Sequence, residues 1–153
     1  MAHKLTHPSF EHQKVYYVLV KSRPPESTLN QLRRGVELPE GRTAPAGVEV
    51  AERLPAEVRL APGPRAGVWL RFTLREGRKR QIRHMISAVE MDTLRLVRWS
   101  IGTLTLGSVE VRQYQHLKRR EVNDLRSLVR ESAPQPKKKP HSYAPKKGRK
   151  SGR

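Results

Sequence analysis

Seven consecutive residues, Lys14-Val15-Tyr16-Tyr17-Val18-Leu19-Val20, constrain the fold of this chain more than any other segment. All but the first are β-branched, aromatic or leucine, the composition of a strand. Alternation sends Val15, Tyr17 and Leu19 to one face and Tyr16, Val18 and Val20 to the other. Neither face can be left to water. The strand therefore belongs at the centre of a sheet covered on both sides.

The remaining pattern supplies that sheet and its cover. Pro24-Pro25-Glu26 opens a short helix that carries Leu29, Leu32 and Arg33 and stops at Gly35. Residues 47–54 and 57–60 are expected strands, with Pro55 between them and Pro62-Gly63-Pro64 closing the second. Residues 67–74 form another. A helix is expected from about Lys79 to Glu90, with Ile82, Met85, Ile86 and Val89 on one face. Residues 94–99 and 103–106 are further strands, interrupted by Gly102 and Gly107, and a last helix over 119–130 turns Val122, Leu125 and Val129 inward. Mostly neighbouring strands with a few helices indicate an α+β fold with a mixed, mostly antiparallel sheet and flanking helices. At 153 residues and 35% hydrophobic content there is material for one domain with a modest core. We assign it to residues 1–131. Residues 132–153 hold Lys137, Lys138, Lys139, Lys146 and Lys147, four prolines and no acid, and are expected to be a disordered Lys/Arg/Pro-rich tail.

A net charge of +18 and a pI of about 11.2 call for a polyanionic partner. Nucleic acid and an anionic membrane surface both fit the sign. There is no run of about 18 apolar residues and no apolar signal-peptide core after Met1, which favours nucleic acid, here RNA, with the tail adding sequence-blind affinity. The absence of cysteine excludes disulfides, thiolate catalysis and Cys-ligated zinc. The histidines His3, His7, His12, His84, His116 and His141 have no metal-ligand spacing, so no metal is expected. Glycine-rich phosphate loops and a serine nucleophile elbow are absent too. One segment does seek an anion: Leu74-Arg75-Glu76-Gly77-Arg78-Lys79-Arg80-Gln81-Ile82-Arg83-His84-Met85 runs from a strand through a Gly-Arg turn to the cation-rich opening of a helix. Only two aspartates exist, Asp92 and Asp124, neither with a partner at a suggestive spacing. Read alone, the residues offer an anion-binding surface and no reaction centre.

Four strings in order carry a resemblance: Lys14-Val15-Tyr16-x-Val18-x-Val20, Gly41-Arg42-Thr43-Ala44-Pro45-Ala46, the 76–85 segment, and Leu94-Arg95-Leu96-Val97-Arg98-x-x-Ile101-Gly102-x-Leu104-x-Leu106-Gly107. Over about residues 2–130 the chain resembles the ribosomal pseudouridine synthases, which isomerise single uridines in small- and large-subunit rRNA. The resemblance implies the catalytic-domain fold of that family and a reaction without metal or organic cofactor. In it the uridine C–N glycosidic bond is broken, the base is turned over, and it is rejoined through carbon. Tyr16 would be the active-site tyrosine stacking on the extracted base. Arg83 would pair with the catalytic aspartate, holding it ionised and oriented. Leu96 would help wall the base pocket, and Arg78, Arg80 and Gln81 would meet the substrate, the two arginines at the RNA backbone. Without the family, the favoured readings are Tyr16 as a packing tyrosine, Arg83 as a solvated helix charge and Leu96 as core.

One departure governs the functional expectation. The family's essential aspartate sits in a Gly-Arg-Leu-Asp context just upstream of a stretch similar to Met1-Ala2-His3-Lys4-Leu5-Thr6-His7-Pro8, and these residues do not include it. Glu90-Met91-Asp92 also replaces the family's usual Gly-His-Pro, and the neighbours of Asp92 do not match a nucleophile context. The expectation is the C-terminal part of a synthase catalytic domain, inactive alone, cytoplasmic, monomeric and bound to rRNA or a ribosomal precursor, with an open sheet edge. The alternative is a non-catalytic basic RNA- or ribosome-binding protein.

Overall fold

The strand β1 (Lys14–Val20) lies where its two apolar faces require, in the middle of a five-stranded sheet. The computed structural model describes residues 12–131; the basic tail expected from residue 132, with Lys137, Lys138, Lys139, Lys146 and Lys147, lies outside the described residues. After β1 come α1 (Glu26–Arg34), β2 (Gly47–Ala51), β3 (Val68–Leu74), α2 (Gln81–Ala88), β4 (Arg95–Ile101), β5 (Leu104–Thr105) and α3 (Arg119–Glu131). The sheet order is β2-β3-β1-β4-β5. Every pairing is antiparallel, so the described sheet is not mixed. The reason is topological: α1 carries the chain back so that β2 runs in the same direction as β1, two places away. The slot between them is filled by β3, which opposes both.

One face of the sheet makes the main core. Val18 and Val20 of β1, Leu70, Phe72 and Leu74 of β3 and Val48 of β2 pack with Leu29 and Leu32 of α1 and Ile82, Met85 and Ile86 of α2. Fully buried side chains of this kind contribute roughly 1.5–3 kcal/mol each, so this layer dominates the stability. Tyr16 and Leu96 sit at its margin, half-buried. On the opposite face Val15, Tyr17 and Leu19 are buried as well. Toward β2 that face turns polar, where Arg71 and Glu49, cross-strand partners, form an ion pair at 2.8 Å. Helix α3 buries Leu125 and Val129 and rests on the β4–β5 turn: a Cβ on Gly102 would come within 2.4 Å of Leu128 Cδ1.

Three expectations need correction. Residues 57–60 are not a strand; Val58 N–H donates to the Pro55 carbonyl at 3.0 Å, and the flanking prolines leave the segment without a ladder partner. The strand expected over 47–54 ends at Ala51. Finally, α2 begins at Gln81 instead of Lys79, because Arg80 has a left-handed backbone (φ 54°, ψ 24°) that a helix cannot contain. The cations Arg78, Lys79 and Arg80 thus occupy a turn in front of the helix, not its first turn.

Candidate functional site

A cleft of about 190 Å³ opens between the margin of β1, the edge of β4 and the turn before α2. Tyr16, Leu74, Ile82 and Leu96 give it apolar walls, and Gly77, Arg78, Arg80 and Gln81 close it. Tyr16, Leu96, Arg78, Arg80 and Gln81, drawn from three separate segments, therefore share one cavity. Arg83 does not line it. That residue stands on the exposed side of α2, opposite the buried Ile82, Met85 and Ile86, and its guanidinium has no hydrogen bond or ion pair among the described residues.

The turn is held by a carboxylate that sequence reasoning missed. Glu76 Oε1 accepts from the Ala44 N–H at 2.9 Å and from Gln81 Nε2 at 2.5 Å, and Oε2 accepts from Arg78 Nε at 3.3 Å. Arg78 also donates Nη1 to the Gly41 carbonyl at 2.8 Å and Nη2 to the Arg42 carbonyl at 2.5 Å. Gln81, buried, accepts the Arg78 backbone N–H at 3.1 Å. Together these bonds tie the 41–44 loop to the rim of the cleft. The only hint in the sequence is a lone acid within a run of cations. Arg80 holds a backbone conformation that costs an arginine roughly 1–2 kcal/mol, and its guanidinium has no partner among the described residues.

A second missed pair lies at the Tyr16 end. A bulge between Val15 and Tyr16 shifts the register with β4, so that Val15 faces Ser100 while Tyr16 faces Arg98. Directly opposed residues share a sheet face, and bulges of this kind re-aim side chains next to sites. Lys14, two residues before Tyr16, lies on that face too and is buried; its Nζ donates to the His12 carbonyl at 3.0 Å. Burial, and then the Arg98 charge, hold its ammonium below the usual lysine value. A Cβ on Gly77 would sit 3.8 Å from Lys14 Nζ, which places this cation at the rim of the cleft. The ion pairs of the described residues are Arg33–Glu26, Arg59–Glu110, Arg71–Glu49 and Arg78–Glu76. Lys14, Arg80 and Arg98 are in none of them.

An aromatic face, an aliphatic wall and three cations without carboxylate partners can hold a planar base and its phosphate. Neither Asp92 nor Asp124 lines the cleft, and the described residues hold no cluster fit for a metal ion. What the fold and site define is an aromatic- and cation-lined cleft on an antiparallel α+β scaffold.

No family model matches the chain. Ribosomal large subunit pseudouridine synthase E of Vibrio parahaemolyticus is 42% identical over 118 residues, 74% of this chain and 50% of that protein. The protein of the same name from Xanthomonas campestris is 37% identical over 84% of this chain and 68% of its own length. Ribosomal large subunit pseudouridine synthase B of Bacillus subtilis is 34% identical over 84% of this chain and 49% of its own length. A crystal structure described as a pseudouridylate synthase superposes with a TM-score of 0.66 at 25% identity, over 81% of this chain and 49% of the other. The chain belongs to the pseudouridine synthase family. It spans about half the length of the Vibrio relative.

Proposed function

We propose that these residues form the uridine- and RNA-binding part of an rRNA pseudouridine synthase. One observation carries this reading: the fold gathers Tyr16, Leu96, Arg78, Arg80 and Gln81 around a single cleft. Tyr16 stacks on a uridine drawn out of its strand, offsetting part of the unstacking cost. Leu96 packs against the base edge, and Arg80 reaches the phosphate. Arg78 and Gln81 act on the substrate through the loop and turn that they hold.

Arg83 is assigned the pairing role toward a catalytic carboxylate; its exposed guanidinium, unpaired among the described residues, is available for it. Isomerisation requires that carboxylate at the cleft, and the two aspartates of the sequence lie elsewhere. The 153 residues by themselves bind uridine-containing RNA without converting it. Residues 132–153 add phosphate contacts through Lys137, Lys138, Lys139, Lys146 and Lys147. No helix among the described residues is long and apolar enough to cross a membrane, and the reading places the protein with rRNA or its precursor in the cytoplasm, as a monomer.

The test has two arms. The chain alone, incubated with unmodified rRNA, is expected to yield no pseudouridine; product at one uridine would sink the claim that it lacks a nucleophile. Joined at its N-terminus to a segment carrying the Gly-Arg-Leu-Asp context that the family resemblance implies, it is expected to modify one uridine. That product should disappear with Tyr16→Ala and with Arg83→Ala. A chimera that binds rRNA but forms no product, or whose product survives both substitutions, rules out the assigned roles.

A further inference from the structure

Next to the cleft, and sharing Leu96 with it, a groove of about 450 Å³ follows the outer edge of β4. Beyond Ser100 and Ile101, which pair with β5, and the Trp99 carbonyl, which accepts from the Leu106 N–H at 2.7 Å, that edge has no strand neighbour among the described residues. Arg59 and Arg98 line the groove, and Leu106 and Val111 give it an apolar side. Val111 is 46% exposed, one of the few large apolar side chains left in water among the described residues. Arg95 closes the groove by donating Nη2 to the Ala61 carbonyl at 2.7 Å, which fastens the 59–61 segment to β4. Gly63 packs against that closure: its φ is +144°, and a Cβ there would meet Arg95 Nη2 at 2.5 Å.

Two features name the occupant. First, the charges have little acid against them: among the described residues Arg98 has no hydrogen bond or ion pair, and Arg59 donates Nη1 to the Ala56 carbonyl at 3.3 Å and has one loose ion pair, at 3.8 Å to the exposed Glu110. Second, the groove sets Arg98 and Arg59 among the apolar side chains Leu96, Leu106 and Val111, next to the apolar cleft. Cations interspersed with apolar surface beside a base-sized cavity suit the phosphates and bases of a single strand. A neutral peptide strand pairing with the open edge would use the β4 backbone but bring no anion to either guanidinium group.

We propose that this groove is a subsite for the nucleotide adjoining the target uridine in single-stranded RNA, with Arg98 holding the phosphate between the two and Arg59 the next one along. The inference rests on the uridine reading of the cleft and extends it. Arg98 gains its place from the bulge, which sets it beside Tyr16. Lys14, buried behind it, reinforces the positive potential without having to touch the RNA.

The experiment measures affinity of the full chain for a fluorescein-labelled uridine decamer across a series of potassium chloride concentrations. Each single-strand phosphate contact contributes about 0.7 to the slope of log K against log salt. Arg98→Gln and Arg59→Gln are each expected to lower the slope by about 0.7, and the double variant by about 1.4. Arg71→Gln, on the opposite sheet face and paired with Glu49, is expected to leave it unchanged. An unaltered slope in Arg98→Gln, or an equal fall in Arg71→Gln, overturns the subsite. Thermal melts show whether each variant is folded, and Arg59, exposed in a loop, keeps the test decisive if Arg98→Gln is not. Repeating the series with a cytidine decamer separates the two readings. Loss of uridine preference with the Arg98 effect intact would remove the uridine assignment and keep the phosphate groove; the converse would remove the groove alone.

Discussion

Replacing Arg78 with lysine keeps its charge and removes its geometry, and so asks whether this arginine holds RNA or holds the protein. Its guanidinium reaches three acceptors at once: Glu76 Oε2, the Gly41 carbonyl and the Arg42 carbonyl. A lysine ammonium is a point donor and cannot span all three. The Glu76 contact, at 3.3 Å with side chains 32% and 23% exposed, contributes under about 1 kcal/mol, and lysine can partly retain it. The carbonyl bonds are shorter and charge-assisted. Such bonds contribute about 1.5–3 kcal/mol each when buried. Here the freed carbonyls reach water, so about 1 kcal/mol each is the better figure, and Arg78→Lys should cost about 2 kcal/mol. With a urea m-value of about 2 kcal/mol/M, the midpoint falls by about 1 M. Urea titration of the full chain, followed by far-UV circular dichroism, measures it. The salt slope for single-stranded RNA should stay at the wild-type value. A midpoint within about 0.2 M of wild type, combined with a salt slope lowered by about 0.7 in Arg78→Gln, where the charge is lost as well, would refute the bracing role and return Arg78 to the phosphate contact that the family resemblance implies.

Other perturbations follow from the same structure. Gly35→Ala should cost about 3 kcal/mol in urea titration, because φ is +86° there and the new Cβ would lie 2.2 Å from the Thr43 carbonyl oxygen; a loss under about 1 kcal/mol would mean that the 36–43 loop moves freely. Phe72→Ala empties the centre of the main core and should cost about 3–5 kcal/mol, or abolish folding, by the same assay. Lys14 carries a pH signature. Its folded pKa lies below the ordinary lysine value of 10.5, so the unfolded chain binds more protons between the two values, and wild-type stability gains a rising contribution with pH across that window. Lys14→Met should remove this rise. Urea titrations of both proteins at pH 7, 8.5 and 10 compare them, and a gap that stays constant or grows in favour of Lys14→Met would disprove the burial argument.

How much of this was legible in the sequence depends on whether a feature is local. β1 was readable because alternation and composition agree over seven residues, and the buried stripe of α2 because Ile82, Met85 and Ile86 keep helical spacing. Residues 57–60 alternate in the same way, yet no neighbouring strand is placed to receive them, and alternation without a partner is not a strand. The start of α2 was misplaced because Lys and Arg are good helix formers. What ends the turn is a network reaching from Glu76 to Ala44 and from Arg78 to Gly41, more than thirty residues away. The site divides along the same line. Tyr16 and Leu96 could be named from motif strings, whereas the relation of Arg98 to Tyr16 depends on one bulge that no periodicity announces. Arg78 and Arg98 show the consequence most clearly. Both are arginines inside family-like strings, both border the cleft or its groove, and charge alone would give them the same task. Arg78 is surrounded by two carbonyls and a carboxylate and has little left to offer a ligand, while Arg98 has a lysine for its charged neighbour and no acceptor among the described residues. The distribution of acceptors around each guanidinium, not the residue type, decides which one braces the fold and which one waits for phosphate.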